Sequence, residues 1–269
     1  MSCWMGEPGG FNSSAEGVAL VSKDKSLNLL KKIPNKRKQS LTAIVAERLK
    51  ESILRRELTL GEALSEEKIA VAMGVSRTPV REALTILQMQ GLISILPRRG
   101  SFVFKPDRED LKALVEYRLQ LELLAAGLAL ERAPAATHKD LVKVIAVMEK
   151  ARAADDALAY AKADSQFHQV LFERCGNYFF MDAFEIISGR VAALRSHLSA
   201  PLGLHRNRTH LEHLKIAEAF DTKDSQTLRE VLVRHIAAME PNYANALRLI
   251  SEGRDPSELA VSRGESALT

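Results

Sequence analysis

Four side chains of the types that bind metal ions fall on the apolar faces of predicted helices. Asp164 and His168 lie one turn apart on one helix, while His213 and His235 lie among apolar residues on two later helices. A buried ionised aspartate and three imidazoles each need a polar partner, and one shared cation would satisfy all four groups. The pattern therefore predicts a divalent metal site inside a helical domain.

The ligand set of one carboxylate and three imidazoles suits several divalent ions and leaves positions for water or a bound ligand. Zinc is the first candidate, and nickel, manganese, iron and cobalt are also suited. Two other interpretations remain open: a histidine on an apolar stripe is often a hydrogen-bonded core residue, and Asp164 could pair with an arginine. Other histidines, such as His197 and His210, are expected at the surface or on a helix rim.

Two arginines, Arg118 and Arg195, also fall on inward-facing stripes of predicted helices. A divalent cation with a single aspartate ligand keeps a net positive charge in a low-dielectric cavity, which attracts anions. Each arginine could add a bidentate clamp on a carboxylate, so both are candidate effector-binding residues for a small organic acid. Alternatively, their long stems cross the apolar face and their charged ends pair with glutamate or reach solvent.

A second set of residues is suited to duplex DNA. Arg77, Thr78 and Arg81 lie on the outward side of a short predicted helix, and the two arginines are one turn apart. Two guanidinium forks at this spacing can reach one edge of DNA and bond guanine or phosphate. Arg99 and Gly100 lie in the tip of a predicted β-hairpin, which can enter a minor groove.

The elements that hold these residues form a winged helix-turn-helix, predicted over 38–106. Leu64 is placed on the apolar face of the first helix of the motif, and Gly74 supplies the turn. Ser76 is placed to cap the recognition helix through its hydroxyl, and Pro79 lies in that helix's first turn, where its missing N–H costs nothing.

The stretch GVSRTPVREAL, followed by GLI and a wing that ends in RRG, resembles the DNA-binding domain of GntR-type bacterial transcription regulators. The resemblance implies that Arg77, Arg81, Arg99 and Gly100 contact DNA. One position departs from the pattern: Glu67 stands where the family often has arginine, so a DNA contact that is usual there is in doubt.

From residue 107 onward the apolar spacing is almost wholly helical, which predicts an all-α bundle over 107–252 and a mainly α fold class. Helices are predicted at 107–132, 138–152, 155–174, 178–199, 206–221 and 224–249. The stretches DSQFHQVLFERCGN and HLEHLKIAEAFDTKDSQTLREVLVRH resemble the FCD effector domain of the FadR subfamily. That resemblance implies a divalent metal bound by Asp164, His168, His213 and His235, and small carboxylate effectors.

Charge and composition fit an intracellular DNA-binding protein. Residues 31–106 contain fifteen lysines and arginines against seven acidic residues, a balance of +8, which leaves −4 for the rest of a chain with net charge +4. Residues 1–37 are predicted to form a flexible basic arm and 253–269 a flexible tail. Two cysteines and no long apolar run favour a reducing cytoplasm and no membrane span.

These features together predict a transcription repressor that acts as a homodimer on a nearly palindromic duplex operator. Its operator affinity would be controlled by a small organic acid bound at the metal. Two other classes remain: a metal-dependent hydrolase, which would use an open metal position to activate water, and an architectural DNA-binding protein with a purely structural helical domain. The hydrolase reading lacks an obvious general base beside the ligands.

Overall fold

The structure is a computed structural model that describes residues 40–199 and 203–254. It is mainly helical, with a winged helix followed by a helical bundle, as the sequence predicts. The proposed basic arm (1–37) lies outside the described residues, as does the proposed tail from residue 255 onward. None of the described helices combines the length and the apolar character that a membrane span requires.

The winged helix contains three helices and three short strands. In chain order they are α1 (Leu41–Leu54), β1 (Ala63–Leu64), α2 (Glu66–Met73), α3 (Arg77–Met89), β2 (Ile93–Leu96) and β3 (Gly100–Val103). The strands form one antiparallel sheet with β3 in the middle, and β2 and β3 make the predicted hairpin. Gly74 ends α2 with a φ of 65°, a left-handed conformation that glycine adopts without strain.

Two details of the winged helix differ from the sequence prediction. Leu64 lies in β1, paired with Ser101, and not on α2. The reason is Ser65, whose side chain accepts from the Lys68 backbone N–H at 3.3 Å and so begins α2 after Leu64. Ser76 occupies the N-cap position of α3, but its side chain makes no capping hydrogen bond.

The bundle is described as seven α-helices and one π-helical segment. They are α4 (Arg108–Arg132), α5 (Pro134–Ala153), α6 (Ala157–Arg174), α7 (Tyr178–Leu194), the π-helical segment (Arg195–Ser199), α8 (Gly203–Thr222), α9 (Ser225–Ala237) and α10 (Met239–Ser251). α4 is the central helix of the bundle, since it packs against α6, α9 and α10. α8 packs against α5 and α9.

Two of the predicted helix boundaries in the bundle are wrong. The helix predicted over 224–249 is two helices, separated at Ala238. Pro241 explains the break, because a proline there cannot donate to the carbonyl four residues earlier and its ring clashes with it. α5 begins at Pro134 and not at 138, since proline is well suited to the first turn of a helix.

The bundle core fixes the helices that carry the candidate metal ligands. Phe167 and Leu171 on α6, Phe220 on α8 and Leu232 on α9 are completely buried in one apolar cluster. Burying side chains of this size contributes about 1.5–3 kcal/mol each. The same apolar contacts therefore stabilise the domain and set the relative positions of α6, α8 and α9.

The winged helix and the bundle meet along the second half of α7. A Cβ atom added at Gly189 would lie 3.0 Å from the backbone oxygen of Gln90 and 3.1 Å from the Leu92 side chain. Four residues later, Ala193 is completely buried and belongs to the apolar core of the winged helix. The DNA-binding domain therefore packs directly on a bundle helix.

This contact leads to a prediction about two helical glycines. Gly189→Ala should destabilise the protein relative to Gly127→Ala by about 1–3 kcal/mol, because overpacking a close contact costs that much. Gly127 lies inside α4, and a Cβ there would meet nothing within 4 Å. Both substitutions replace glycine by alanine inside a helix, which stabilises the helix by about 1 kcal/mol in each case. The difference between the unfolding free energies of the two variants in urea therefore measures the cost of the close contact at Gly189. Equal stability of the two variants would contradict it.

Candidate metal centre and nucleic-acid interface

The structure brings the four predicted metal ligands together. Asp164 and His168 project from α6, His213 from α8 and His235 from α9, and one ligand atom from each lies within 4.8 Å of the others. All four side chains are buried, and His168 and His213 are completely so. Three helices, of which α8 and α9 are consecutive in the chain, thus aim one carboxylate and three imidazoles at a common point.

Two glutamates orient two of these imidazoles. Nδ1 of His168 lies 2.6 Å from a carboxylate oxygen of Glu122, and Nδ1 of His235 lies 2.9 Å from one of Glu212. A carboxylate at Nδ1 accepts the proton there, which leaves Nε2 as a lone pair. The two Nε2 atoms face each other at 3.2 Å, and two lone pairs at that distance repel unless a cation lies between them. The donor set therefore fits a metal ion.

The surroundings of His213 also fit a metal ion. Neither of its ring nitrogens has a hydrogen-bond partner, although Nε2 lies 3.2 Å from a carboxylate oxygen of Asp164 in poor geometry. Burial and the neighbouring His235 hold the pKa of His213 well below its usual value, so the imidazole is neutral at physiological pH. A buried neutral imidazole with unused nitrogens is suited to metal binding.

Asp164 is ionised and is shared between the cluster and an arginine. Burial alone would raise the pKa of Asp164, but the Arg195 guanidinium holds it below its usual range. Arg195 forms an ion pair with the Asp164 carboxylate and also donates to the Ser165 hydroxyl at 3.0 Å. The arginine pairing that the sequence left open is therefore present within the candidate metal site.

Arg118 lies beside the cluster, on the inward face that the sequence predicts for it. Its Nε donates to Glu122 at 2.5 Å, and its Nη1 lies 3.1 Å from the Met239 sulfur. The remaining Nη2 is buried without a hydrogen-bond partner. A buried guanidinium nitrogen with no acceptor is a site that an incoming carboxylate could satisfy.

The two glutamates were not predicted from the sequence, and two histidines lie elsewhere than predicted. Glu122 lies one turn after Arg118 on the same face of α4, and Glu212 directly precedes His213; these spacings were the available signals. His210 is buried and not on a helix rim, and its Nε2 lies 3.6 Å from Glu149. His197 lies at the contact with the winged helix, where it is half-buried.

The π-helical segment connects the cluster to the winged helix. Arg195 holds Asp164, and the next residue, Ser196, donates its hydroxyl proton to the backbone oxygen of Leu54 at the end of α1. His197 places Nε2 2.8 Å from the backbone oxygen of Ile53. These carbonyls belong to the last turn of α1, which leaves carbonyls without intrahelical partners. Arg195 therefore contacts the candidate site, and the next two residues, Ser196 and His197, contact the DNA-binding domain.

The residues predicted to bind DNA are exposed on two elements of the winged helix. Arg77, Thr78 and Arg81 lie on the solvent side of α3, while Arg99 and Gly100 lie at the tip of the hairpin. The residues of α3 that face inward are buried apolar side chains. The recognition face is thus accessible, and the rest of α3 is anchored in the core.

One contact on this face was not predicted. Glu66, the first residue of α2, accepts two hydrogen bonds from Arg81, one from Nε at 3.1 Å and one from Nη2 at 2.9 Å. Its carboxylate also lies 3.7 Å from Arg77. Both recognition arginines therefore lie beside a carboxylate on the preceding helix.

Two protein families match this chain. Residues 41–103 match the gntR family of bacterial regulatory proteins, and residues 113–238 match the FCD domain. The two segments enclose all of the candidate DNA-binding residues and all four candidate metal ligands.

Several known proteins are similar over most of the chain. An uncharacterized HTH-type transcriptional regulator from Streptomyces ambofaciens is 31% identical over 200 residues, which cover 71% of this chain and 80% of that protein. The HTH-type transcriptional repressor NanR from Cronobacter sakazakii is 28% identical over 74% of this chain and 84% of that protein. The fold is shared with a GntR transcriptional regulator from Rhodococcus sp. RHA1, with a TM-score of 0.67 and 22% identity. The match covers 76% of this chain and 98% of that protein. The fold is also shared with E. coli McbR/YncC, with a TM-score of 0.64 and 23% identity. This match covers 76% of this chain and 99% of that protein.

Proposed function

Because the chain belongs to the gntR family of bacterial regulatory proteins and carries an FCD domain, we propose that it is a metal-dependent, effector-controlled repressor. The family and the named relatives make it a DNA-binding transcriptional regulator and not an enzyme. The observation that carries the proposal is the convergence of Asp164, His168, His213 and His235 on one buried point. A relative named as a repressor supports the sign of regulation.

A divalent cation is held by the four ligands, with zinc the best match to three nitrogens and one oxygen, and nickel, manganese and iron also suited. Glu122 and Glu212 support the assignment because they fix the tautomers of His168 and His235. When bound, the ion supplies a positive centre that attracts an anion.

The effector is a small organic acid that binds next to this centre. Arg118 supports it through the buried Nη2 that has no acceptor. Arg195 supports it because a carboxylate that bonds the guanidinium would compete with Asp164 for the same donors. Since Ser196 and His197 hold the end of α1, a change at Arg195 alters how the winged helix is held. This is the route by which the effector changes operator affinity.

The operator is bound by α3 and the wing. Arg77, Thr78 and Arg81 read the major groove, while Arg99 and Gly100 contact the minor groove or its phosphates. Their exposure and the +8 balance of residues 31–106 support this assignment.

The functional unit is a homodimer formed through α4 and α7, which matches a nearly palindromic operator. These helices lie side by side, since the Tyr117 hydroxyl on α4 donates to the Ala183 carbonyl on α7 at 3.3 Å. The two helices expose large apolar side chains: Leu124 on α4 is 58% exposed, and on α7 Phe179 is 64% and Ile186 54% exposed. Exposed apolar residues of this density favour association, and a second copy of the chain is the partner that a two-fold operator requires.

The metal assignment predicts that protein stripped by a chelator gains thermal stability when zinc is added, and that elemental analysis finds about one ion per chain. His213→Ala should lose most of the metal and of the stabilisation. His210→Ala is the control, because His210 is also buried on α8 but lies outside the ligand cluster. Unchanged metal content in a variant that lacks both His168 and His213 would overturn the assignment.

The dimer assignment predicts that Ile186→Glu is monomeric in sedimentation experiments at micromolar concentration, because it places a charge in the apolar interface. Val147→Glu makes the same change on α5 at a residue that is 48% exposed, and this variant should remain dimeric. A dimeric Ile186→Glu protein would place the interface elsewhere.

The effector assignment predicts that malate, pyruvate or succinate raises the melting temperature and, in the same concentration range, changes affinity for a duplex that the protein selects from a random pool. Both responses should be lost in Arg118→Met and in the His213→Ala variant, and the acid should be recovered unaltered. If neither zinc nor any of these acids changes DNA affinity, the result favours an architectural role for the bundle. If the acid responses persist without the ligands, the effector binds elsewhere.

A further inference from the structure

We infer that Glu66 is a positioning residue for DNA recognition, which holds the Arg81 guanidinium in the orientation that reads one base. The inference rests on the proposed function, in which Arg81 contacts the operator. Beyond that function, Glu66 would contribute to sequence specificity, although its carboxylate is negatively charged and cannot itself attract DNA.

The hydrogen bonds determine which edge of Arg81 is free. Glu66 binds Nε and Nη2 through its two carboxylate oxygens, at 3.1 and 2.9 Å. A guanidinium carries five N–H groups, so both hydrogens of Nη1 and one of Nη2 remain. These form a second fork that points away from Glu66, and a fork of this kind can bond the N7 and O6 atoms of guanine. Because the Arg81 side chain is 67% exposed, that edge is open to a ligand.

Glu66 is the fixed partner of this pair. Its side chain is only 23% exposed, and it lies in the first turn of α2, where the helix dipole favours a negative charge. The hydrogen bond from Arg81 lowers the pKa of Glu66, so the carboxylate stays ionised at neutral pH. A free arginine side chain samples many rotamers, and holding it in one of them removes an entropic cost from binding.

The charge of Glu66 acts in the opposite direction. A carboxylate close to the recognition face repels DNA phosphates, which weakens binding to every sequence. Positioning of Arg81 strengthens binding only where guanine is present. Glu66 therefore lowers affinity for random DNA, while at the operator the positioning of Arg81 offsets this loss. The charge acts on every sequence alike, so the positioning of Arg81 is what increases the ratio between the two affinities.

Glu67 provides a matched control for the charge. It is the adjacent residue, it is exposed, and the ion pairs of Arg77 and Arg81 in the described structure are with Glu66 and not with Glu67. Glu67→Gln removes one negative charge from the same turn of α2 and leaves Arg81 held. Glu66→Gln removes the same charge and also releases Arg81.

The experiment is a selection of bound duplexes from a random pool with the full chain and with the Glu66→Gln, Glu67→Gln and Arg81→Ala variants. Arg81→Ala should reduce the preference at one base pair by roughly fivefold to a hundredfold. Glu66→Gln should reduce the preference at that same base pair by about two- to tenfold. Glu67→Gln should leave the preference unchanged. Affinity for random duplex should rise to a similar extent in both glutamine variants.

The outcomes separate this inference from the proposed function. If Arg81→Ala alters one base position and Glu66→Gln does not, Arg81 reads DNA without help and the positioning role is overturned. If Arg81→Ala leaves the whole profile unchanged, base readout by Arg81 fails and the inference fails with it. If Glu66→Gln strengthens binding to selected and random duplexes equally, the carboxylate acts only through its charge. Circular dichroism of each variant checks that the winged helix is folded.

Discussion

The need to pair buried charges at the centre of the bundle is the constraint on which the rest of this structure depends. Each carboxylate there has a cationic or imidazole partner: Asp164 pairs with Arg195, Glu122 with Arg118 and His168, and Glu212 with His235. An unpaired charge at this depth would cost several kcal/mol. Nε2 of His168, Nε2 of His235 and the His213 ring are left facing one another and Asp164, and one atom of each of these four side chains lies within 4.8 Å of the others. One buried nitrogen of the nearby Arg118 also has no partner. The arrangement that makes the core stable thus also creates its capacity to bind a cation and an anion.

The same constraint extends to the DNA-binding domain through α7. Because Arg195 must neutralise Asp164, the segment that follows α7 is held at a defined place, and Ser196 and His197 bond the end of α1 from there. The close approach at Gly189 holds the winged helix on the same helix one to two turns earlier. A perturbation of the charge pairing therefore reaches the winged helix over a short, continuous path, without requiring a rearrangement of the core.

Periodicity predicted all four candidate ligands because each one lies on the apolar stripe of its own helix, as with Asp164 and His168. The side chains that these residues contact on other helices were harder to predict. The Glu122 contact with His168 depends on how α4 crosses α6, and the Glu66 contact with Arg81 depends on the angle between α2 and α3; neither is encoded in the spacing of a single helix. The break before α10 is a different kind of error, since Pro241 was a local signal that the apolar pattern obscured.

Two arginine–glutamate pairs illustrate how environment decides what such a pair does. Arg118 and Glu122 are buried, so separating them would leave an uncompensated charge and the pair behaves as a fixed part of the core. Arg81 and Glu66 lie at the surface, where an ion pair contributes at most about 1 kcal/mol, and the second edge of the held guanidinium stays free to bond a base. Allosteric coupling of about 1–3 kcal/mol corresponds to a five- to 150-fold change in binding affinity. In the proposed mechanism, a small acid that shares the Arg195 donors with Asp164 would need to supply only that much differential free energy at the end of α1, and the other buried pairs around it would stay intact.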